Sequence, residues 1–129
     1  MASVSKFEDL DAWKLSRELC IKIGRKVDDG SFRKNFRLIG QIEGSSGSIM
    51  DNIAEGFERG SRKEFIIFLA YSKGSCGELR SQLYRCLDRN YIDQAFFEEA
   101  ISLIKRISAM LQSLINYLKK SSYEGTRKM

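Results

Sequence analysis

The sequence predicts an all-α fold, an up-down antiparallel four-helix bundle, and three observations carry that prediction. Apolar residues recur close to every 3.5 positions over four long stretches, the spacing of helices packed nearly antiparallel. Proline is absent from all 129 residues, so nothing interrupts those stretches. Each stretch is separated from the next by a short run of turn or capping residues: DDGS at 28–31, GS at 60–61 and RNYID at 89–93. The length suits one compact domain, residues 1–129.

The first helix is expected over about 9–27, with an apolar seam of Trp13, Ser16, Cys20, Ile23 and Val27. The second is expected over about 33–59, with Ile39, Ile42, Ser46, Ile49, Ile53 and Phe57. Gly60 then supplies the left-handed conformation that ends a helix, and Ser61 with Glu64 reads as a capping box that opens the next at once. So short a connection forces the second and third helices into an antiparallel pair. The third, about 61–88, offers Phe65, Leu69, Ser72, Cys76, Leu79, Leu83 and Cys86. The fourth, about 93–119, opens on Asp93 as its N-cap and carries Phe97, Ala100, Ile104, Ile107, Leu111, Leu114 and Leu118. Helices of this size reach about 30–40 Å, so the bundle is elongated. The tail, 120–129, is expected to fray.

Composition narrows the function. The longest apolar run, FIIFLAY at 65–71, is too short to span a bilayer, and the opening MASVSKFEDLDAWK lacks the apolar core of a secretory signal. A cytoplasmic location away from membranes is the expectation. There is no histidine, which removes the commonest general base near neutral pH. Cys20, Cys76 and Cys86 share no metal-binding spacing and read as reduced, buried thiols, so neither metal nor cofactor is expected. Asp51, Glu55 and Glu58 share a helix face, a pattern that could serve acid–base or metal chemistry. Arg59 and Arg62, one turn beyond Glu55 and Glu58, satisfy them more simply as i,i+4 ion pairs. The chain is therefore read as a non-enzyme.

The glycines ask for an explanation. Each glycine inside a helix costs up to about 1 kcal/mol relative to alanine. Yet Gly40, Gly44, Ser48, Asn52 and Gly56 recur every fourth residue along the second helix, and Ala70, Gly74, Gly77 and Ser81 form a matching stripe on the third. Small residues at that spacing let helix backbones approach closely, either within one chain or between copies. Asn52, beside Ile49 and Ile53, needs polar partners and is a candidate for fixing register or oligomer state. The run GQIEGSSG lacks the GxxxxGK[ST] order and the preceding strand of a phosphate loop.

The net charge is +5 and the pI about 9.2, which permits nucleic-acid binding without demanding it. Sorted along an up-down bundle, the positive excess is small at both ends and in the middle. Its placement is more telling. Arg33, Lys34 and Arg37 crowd the start of the second helix, Arg62 and Lys63 follow the cap of the third, and Arg85 and Arg89 close it. A cation at a helix N-terminus opposes the dipole by about 0.3–1 kcal/mol, so helix stability does not explain the first two groups. Phosphate contacts do. Phe32, Phe36 and Tyr91 lie among these cations, placed either to stack on unpaired bases or to plug the bundle end.

Two segments also carry a family resemblance. FEDLDAWKLSREL near the start and GQIEGSSGSIMDNIAEGFERGSRKEFIIFLAYSKGSCGEL, above all the pattern SxSIxxNIAEGFxRxSxxEFxxFLxxxxGSxxEL, resemble the bacterial 23S rRNA intervening-sequence proteins. The resemblance covers nearly the whole chain, from Phe7 to about Leu118. It implies an up-down four-helix bundle that assembles as a homo-oligomer, a five-subunit ring being the expected form. The family name records where some of the genes lie, not an activity. A related group, the accessory variability proteins of diversity-generating retroelements, forms similar basic rings that bind nucleic acid and a reverse transcriptase. The expected function is thus a non-enzymatic oligomeric protein that binds RNA or DNA through phosphate contacts. The alternative is a protein–protein scaffold whose cations serve only solubility.

Overall fold

In a computed structural model the described residues, 4–120, form four long helices preceded by one short turn of 3₁₀ helix. The predicted fraying of the tail falls largely outside those residues. The 3₁₀ turn is Phe7–Asp9, and the helices are α1 (Asp11–Asp28), α2 (Phe36–Glu58), α3 (Arg62–Asp88) and α4 (Gln94–Lys120). Sequence neighbours are spatial neighbours, and α1 closes the ring on α4, so the chain is an all-α, up-down four-helix bundle. No helix among the described residues is long and apolar enough to cross a membrane.

The helix ends follow from their capping chemistry. Asn35 accepts from the Leu38 N–H (3.2 Å), Ser61 from the Glu64 N–H (3.3 Å) and Asp93 from the Phe96 N–H (2.8 Å). Gly60 is left-handed at φ 75°, as its place after α2 requires. The capping box is only half formed, because Arg59 lies 3.5 Å from the Glu64 carboxylate, which turns to it. Helix α2 begins at Phe36 and not near 33, because Arg33 and Lys34 are themselves left-handed, at φ 51° and 61°.

The core runs the length of the bundle. The seams read on the third and fourth helices are buried throughout, joined by Gln82 and Ile115. Helix α1 is rotated from expectation. Its buried face is Ala12, Ser16, Leu19 and Ile23, while Trp13, Cys20 and Val27 sit at the margins. Trp13 packs edge-on against Phe7 of the 3₁₀ turn, ring centroids 5.2 Å apart, which holds it off the axis. Buried hydroxyls find backbone or amide partners: Ser16 donates to the Ala12 carbonyl (2.6 Å), Ser72 to the Ile49 carbonyl across the α2–α3 contact (2.7 Å), and Ser45 to Gln82 (2.5 Å).

Candidate functional site

Antiparallel packing brings two turns to one end of the bundle, residues 29–35 between α1 and α2 and residues 89–93 between α3 and α4. Phe32 and Tyr91 form the floor of that end. Their rings lie 5.7 Å apart, and they are only 2% and 8% exposed. The Asn35 amide donates to the Tyr91 hydroxyl (3.2 Å) while its carbonyl caps α2, so one side chain ties the two turns together. These two aromatics plug the bundle end.

Phe36 behaves differently. It is 72% exposed at the first turn of α2, between Arg33 and Lys34 on one side and Arg37 on the other. Beside it opens a cleft of about 340 Å³ lined by Asn35, Arg37, Leu38, Arg85, Asp88 and Arg89. Arg85 donates to Gln41 (3.0 Å), and Arg89 lies over the Tyr91 ring at 5.3 Å. Among the described residues, none of Arg33, Lys34, Arg37, Arg85 and Arg89 is in an ion pair. Two other cations of this end are engaged. Lys22 pairs with Glu99 at 2.7 Å, Lys26 approaches Asp29 at 3.5 Å, and both sit over the Phe96 ring. Asp29 is occupied as well, since the hydroxyl and N–H of Ser31 both donate to it and hold its carboxyl below the usual range. Its charge is thus directed at Ser31 and Lys26.

The seven predicted phosphate-binding residues therefore divide. Arg37, Arg85 and Arg89 line the cleft and Arg33 and Lys34 lie in the turn that leads into α2 at the same end, while Arg62 and Lys63 lie at the opposite end of α3, about 40 Å away along a 27-residue helix. Arg62 turns inward and donates to the Leu118 carbonyl (3.2 Å), capping the end of α4, and its buried Nε has no hydrogen-bond partner among the described residues.

The small-residue stripes divide too. A Cβ added at Gly56 would lie 2.5 Å from the Phe68 Cβ and 3.1 Å from the Phe65 ring, so α2 and α3 meet there at a distance only glycine allows. At Gly40, Gly44, Gly74 and Gly77 an added Cβ meets nothing within 4 Å, and all four are exposed, as are Ala70 and Ser81. Ser48 and Asn52 are satisfied within the chain: the Asn52 amide donates to the Ser48 carbonyl (2.8 Å) and hydroxyl (2.9 Å), and Ser75 donates to the Ser48 hydroxyl (3.1 Å). The exposed glycines continue along a face that includes the partly exposed Ile67 and Tyr71.

Of the two ion pairs expected on the carboxylate face, the one between Glu55 and Arg59 is formed, whereas Arg62 is turned to Leu118. Arg59 reaches Glu55 at 2.8 Å and Glu64 at 3.5 Å. All three cysteines are free; burial pushes the Cys76 and Cys86 thiols up to about 11, and Cys20 donates to the Ser46 carbonyl (3.2 Å). A sulfur held as a thiol at neutral pH is a poor nucleophile.

The family model of the 23S rRNA-intervening sequence protein matches residues 8–113. A crystal structure from Bacteroides thetaiotaomicron, described as a protein of unknown function from the S23 ribosomal protein family, superposes with a TM-score of 0.74 at 26% identity. The match covers 81% of this chain and 97% of that one. No curated protein matches. With the motif from Ser46 to Leu79, the bundle and the matched span in agreement, the chain belongs to the 23S rRNA-intervening sequence protein family.

Proposed function

We propose that this protein is a non-enzymatic, self-associating binding protein that holds nucleic acid, RNA or DNA, by its phosphates at the end of the bundle formed by the two turns. The observation that carries this reading is the cleft on which Arg37, Arg85 and Arg89 converge, with Arg33 and Lys34 in the adjoining turn and none of the five in an ion pair among the described residues. Phosphates would supply the missing counter-charge. Arg62 and Lys63 belong to the same reading only as a second, separate contact, and Arg62 is already committed to α4. A cytoplasmic setting follows from the reading.

The exposed face of Gly40, Gly44, Gly74 and Gly77 favours self-association, since a bare glycine stripe on a helix surface costs stability unless another backbone covers it. The resemblance to the accessory variability proteins adds two expectations, a five-subunit ring and a reverse transcriptase as protein partner. A ring would repeat the cationic cleft five times and so strengthen a weak patch by multivalency. The second reading, a protein–protein scaffold, rests on the same small-residue face with Ile67 and Tyr71.

Retention of labelled RNA and DNA at low salt, followed by a salt series, tests the proposal. The wild type should bind, and changing Arg33, Lys34 and Arg37 together to Gln should weaken binding across all sequences and flatten the salt dependence. If no nucleic acid is retained at low salt, the proposal fails and the scaffold reading takes its place.

A further inference from the structure

Among the described residues, Phe36 is the one phenylalanine of the eight with no aromatic or cation partner. Phe7 meets Trp13, Phe32 meets Tyr91, Phe57 meets Phe65, Phe68 meets Tyr71, Phe97 meets Tyr84, and Phe96 lies under Lys22 and Lys26. Phe36 is instead presented to solvent by a built device. Arg33 and Lys34 are both left-handed, the Phe36 N–H closes a tight turn on the Lys34 carbonyl (2.8 Å), and Asn35 locks that turn to Tyr91. The ring emerges beside the cationic cleft that Asn35 and Arg37, its two neighbours in the chain, help to line.

We infer that Phe36 is a stacking platform, and that the ligand of this end is a single strand with unpaired bases in preference to a duplex. This rests on the phosphate-binding reading above and sharpens it. Cations alone read phosphates and do not separate single strands from duplexes, whereas an exposed ring beside them binds a base only where that base is unpaired. A contact between copies is the competing use of an exposed ring. It would bring Arg33, Lys34 and Arg37 into a closed interface, with Asp88 the one carboxylate lining their cleft, and unpaired charge is costly there. A strand brings its own counter-charge.

The experiment measures fluorescence anisotropy with a labelled mixed-sequence single strand, its duplex, and a strand of abasic residues, using wild type, Phe36→Ala and Phe36→Trp. Light scattering is run on each variant. The wild type should bind the single strand more tightly than the duplex or the abasic strand. Phe36→Ala should weaken single-strand binding by about 5- to 150-fold, the range of one lost base–aromatic stack. It should leave duplex and abasic binding and the salt slope unchanged, and Phe36→Trp should retain the preference. Equal binding of strand and duplex, unaltered by Phe36→Ala, overturns the stacking inference and leaves the phosphate reading standing. Absence of binding to all three probes at low salt overturns both. A smaller assembly for Phe36→Ala assigns the ring to a contact between copies and overturns the inference.

Discussion

Alanine substitution of the glycines should give opposite results on the two parts of the stripe. At Gly40, Gly44, Gly74 and Gly77 the new methyl meets nothing within 4 Å, so only the backbone term changes. Alanine gains up to about 1 kcal/mol at each site, and spaced sites combine roughly additively. For a chain of this size that is about 3–5 °C in Tm per substitution. At Gly56 the same gain is opposed by a methyl placed 2.5 Å from the Phe68 Cβ. That atom cannot rotate away, because it is fixed to the α3 backbone, so the helices must separate. Overpacking costs about 1–3 kcal/mol, here towards the upper end, leaving Gly56→Ala destabilised by about 1–2 kcal/mol. Urea and thermal unfolding by circular dichroism read both outcomes. A Gly56→Ala variant as stable as wild type would refute the argument that α2 and α3 meet at a glycine-limited distance. That gain is the gain of the single bundle; if the exposed stripe packs on another copy, as proposed, the same four alanines should also shift the population to smaller species in light scattering.

Further outcomes follow from the site. Phe32→Ala, which empties the floor of the basic end, should cost about 3–5 kcal/mol, whereas Phe36→Ala should alter unfolding by less than about 0.5, measured by urea titration. Asn35→Ala removes both the α2 cap and the bond to Tyr91 and should cost about 1–2 kcal/mol in the same assay. Stability should also fall at alkaline pH. The Cys76 and Cys86 thiols are raised to about 11 in the fold, so between about pH 9 and 11 the unfolded chain releases protons that the native chain keeps. The unfolding free energy then falls by up to about 1.4 kcal/mol per pH unit per thiol, and replacing both with Ala should remove that slope.

Much of this architecture was legible in the residues, and the exceptions have physical causes. The third and fourth helices could be read residue by residue because their buried faces follow one repeat, and the aromatics off that repeat, such as Tyr71 and Tyr84, stay exposed. In α1, Trp13 draws the eye as core, yet it packs against Phe7 at the margin while the smaller Ala12 and Leu19 go in. Helix α2 starts later than the pattern predicts because residue type does not announce a left-handed Arg33 and Lys34. The gathering of Arg37 with Arg85 and Arg89 is a consequence of antiparallel topology and could be anticipated, but the inward turn of Arg62 towards Leu118 could not. Three aromatics in the same basic stretches looked equivalent by pattern, and only packing separates the buried Phe32 and Tyr91 from the exposed Phe36. The glycine stripe reads as one contact, yet only Gly56 meets α3 and Gly40, Gly44, Gly74 and Gly77 are exposed, for spacing records that backbones could approach and not whether another helix is there.

The central claim, that the turn-bearing end binds nucleic acid through its unpaired cations, is tested most directly by affinity for a single strand across a salt series. Five phosphate contacts, three at the cleft and two from the adjoining turn, predict that log K falls against log salt with a slope of roughly −3 to −4, reduced by about 2 when Arg33, Lys34 and Arg37 become Gln. Affinity that does not change with salt, or a triple variant with the slope of the wild type, would contradict it.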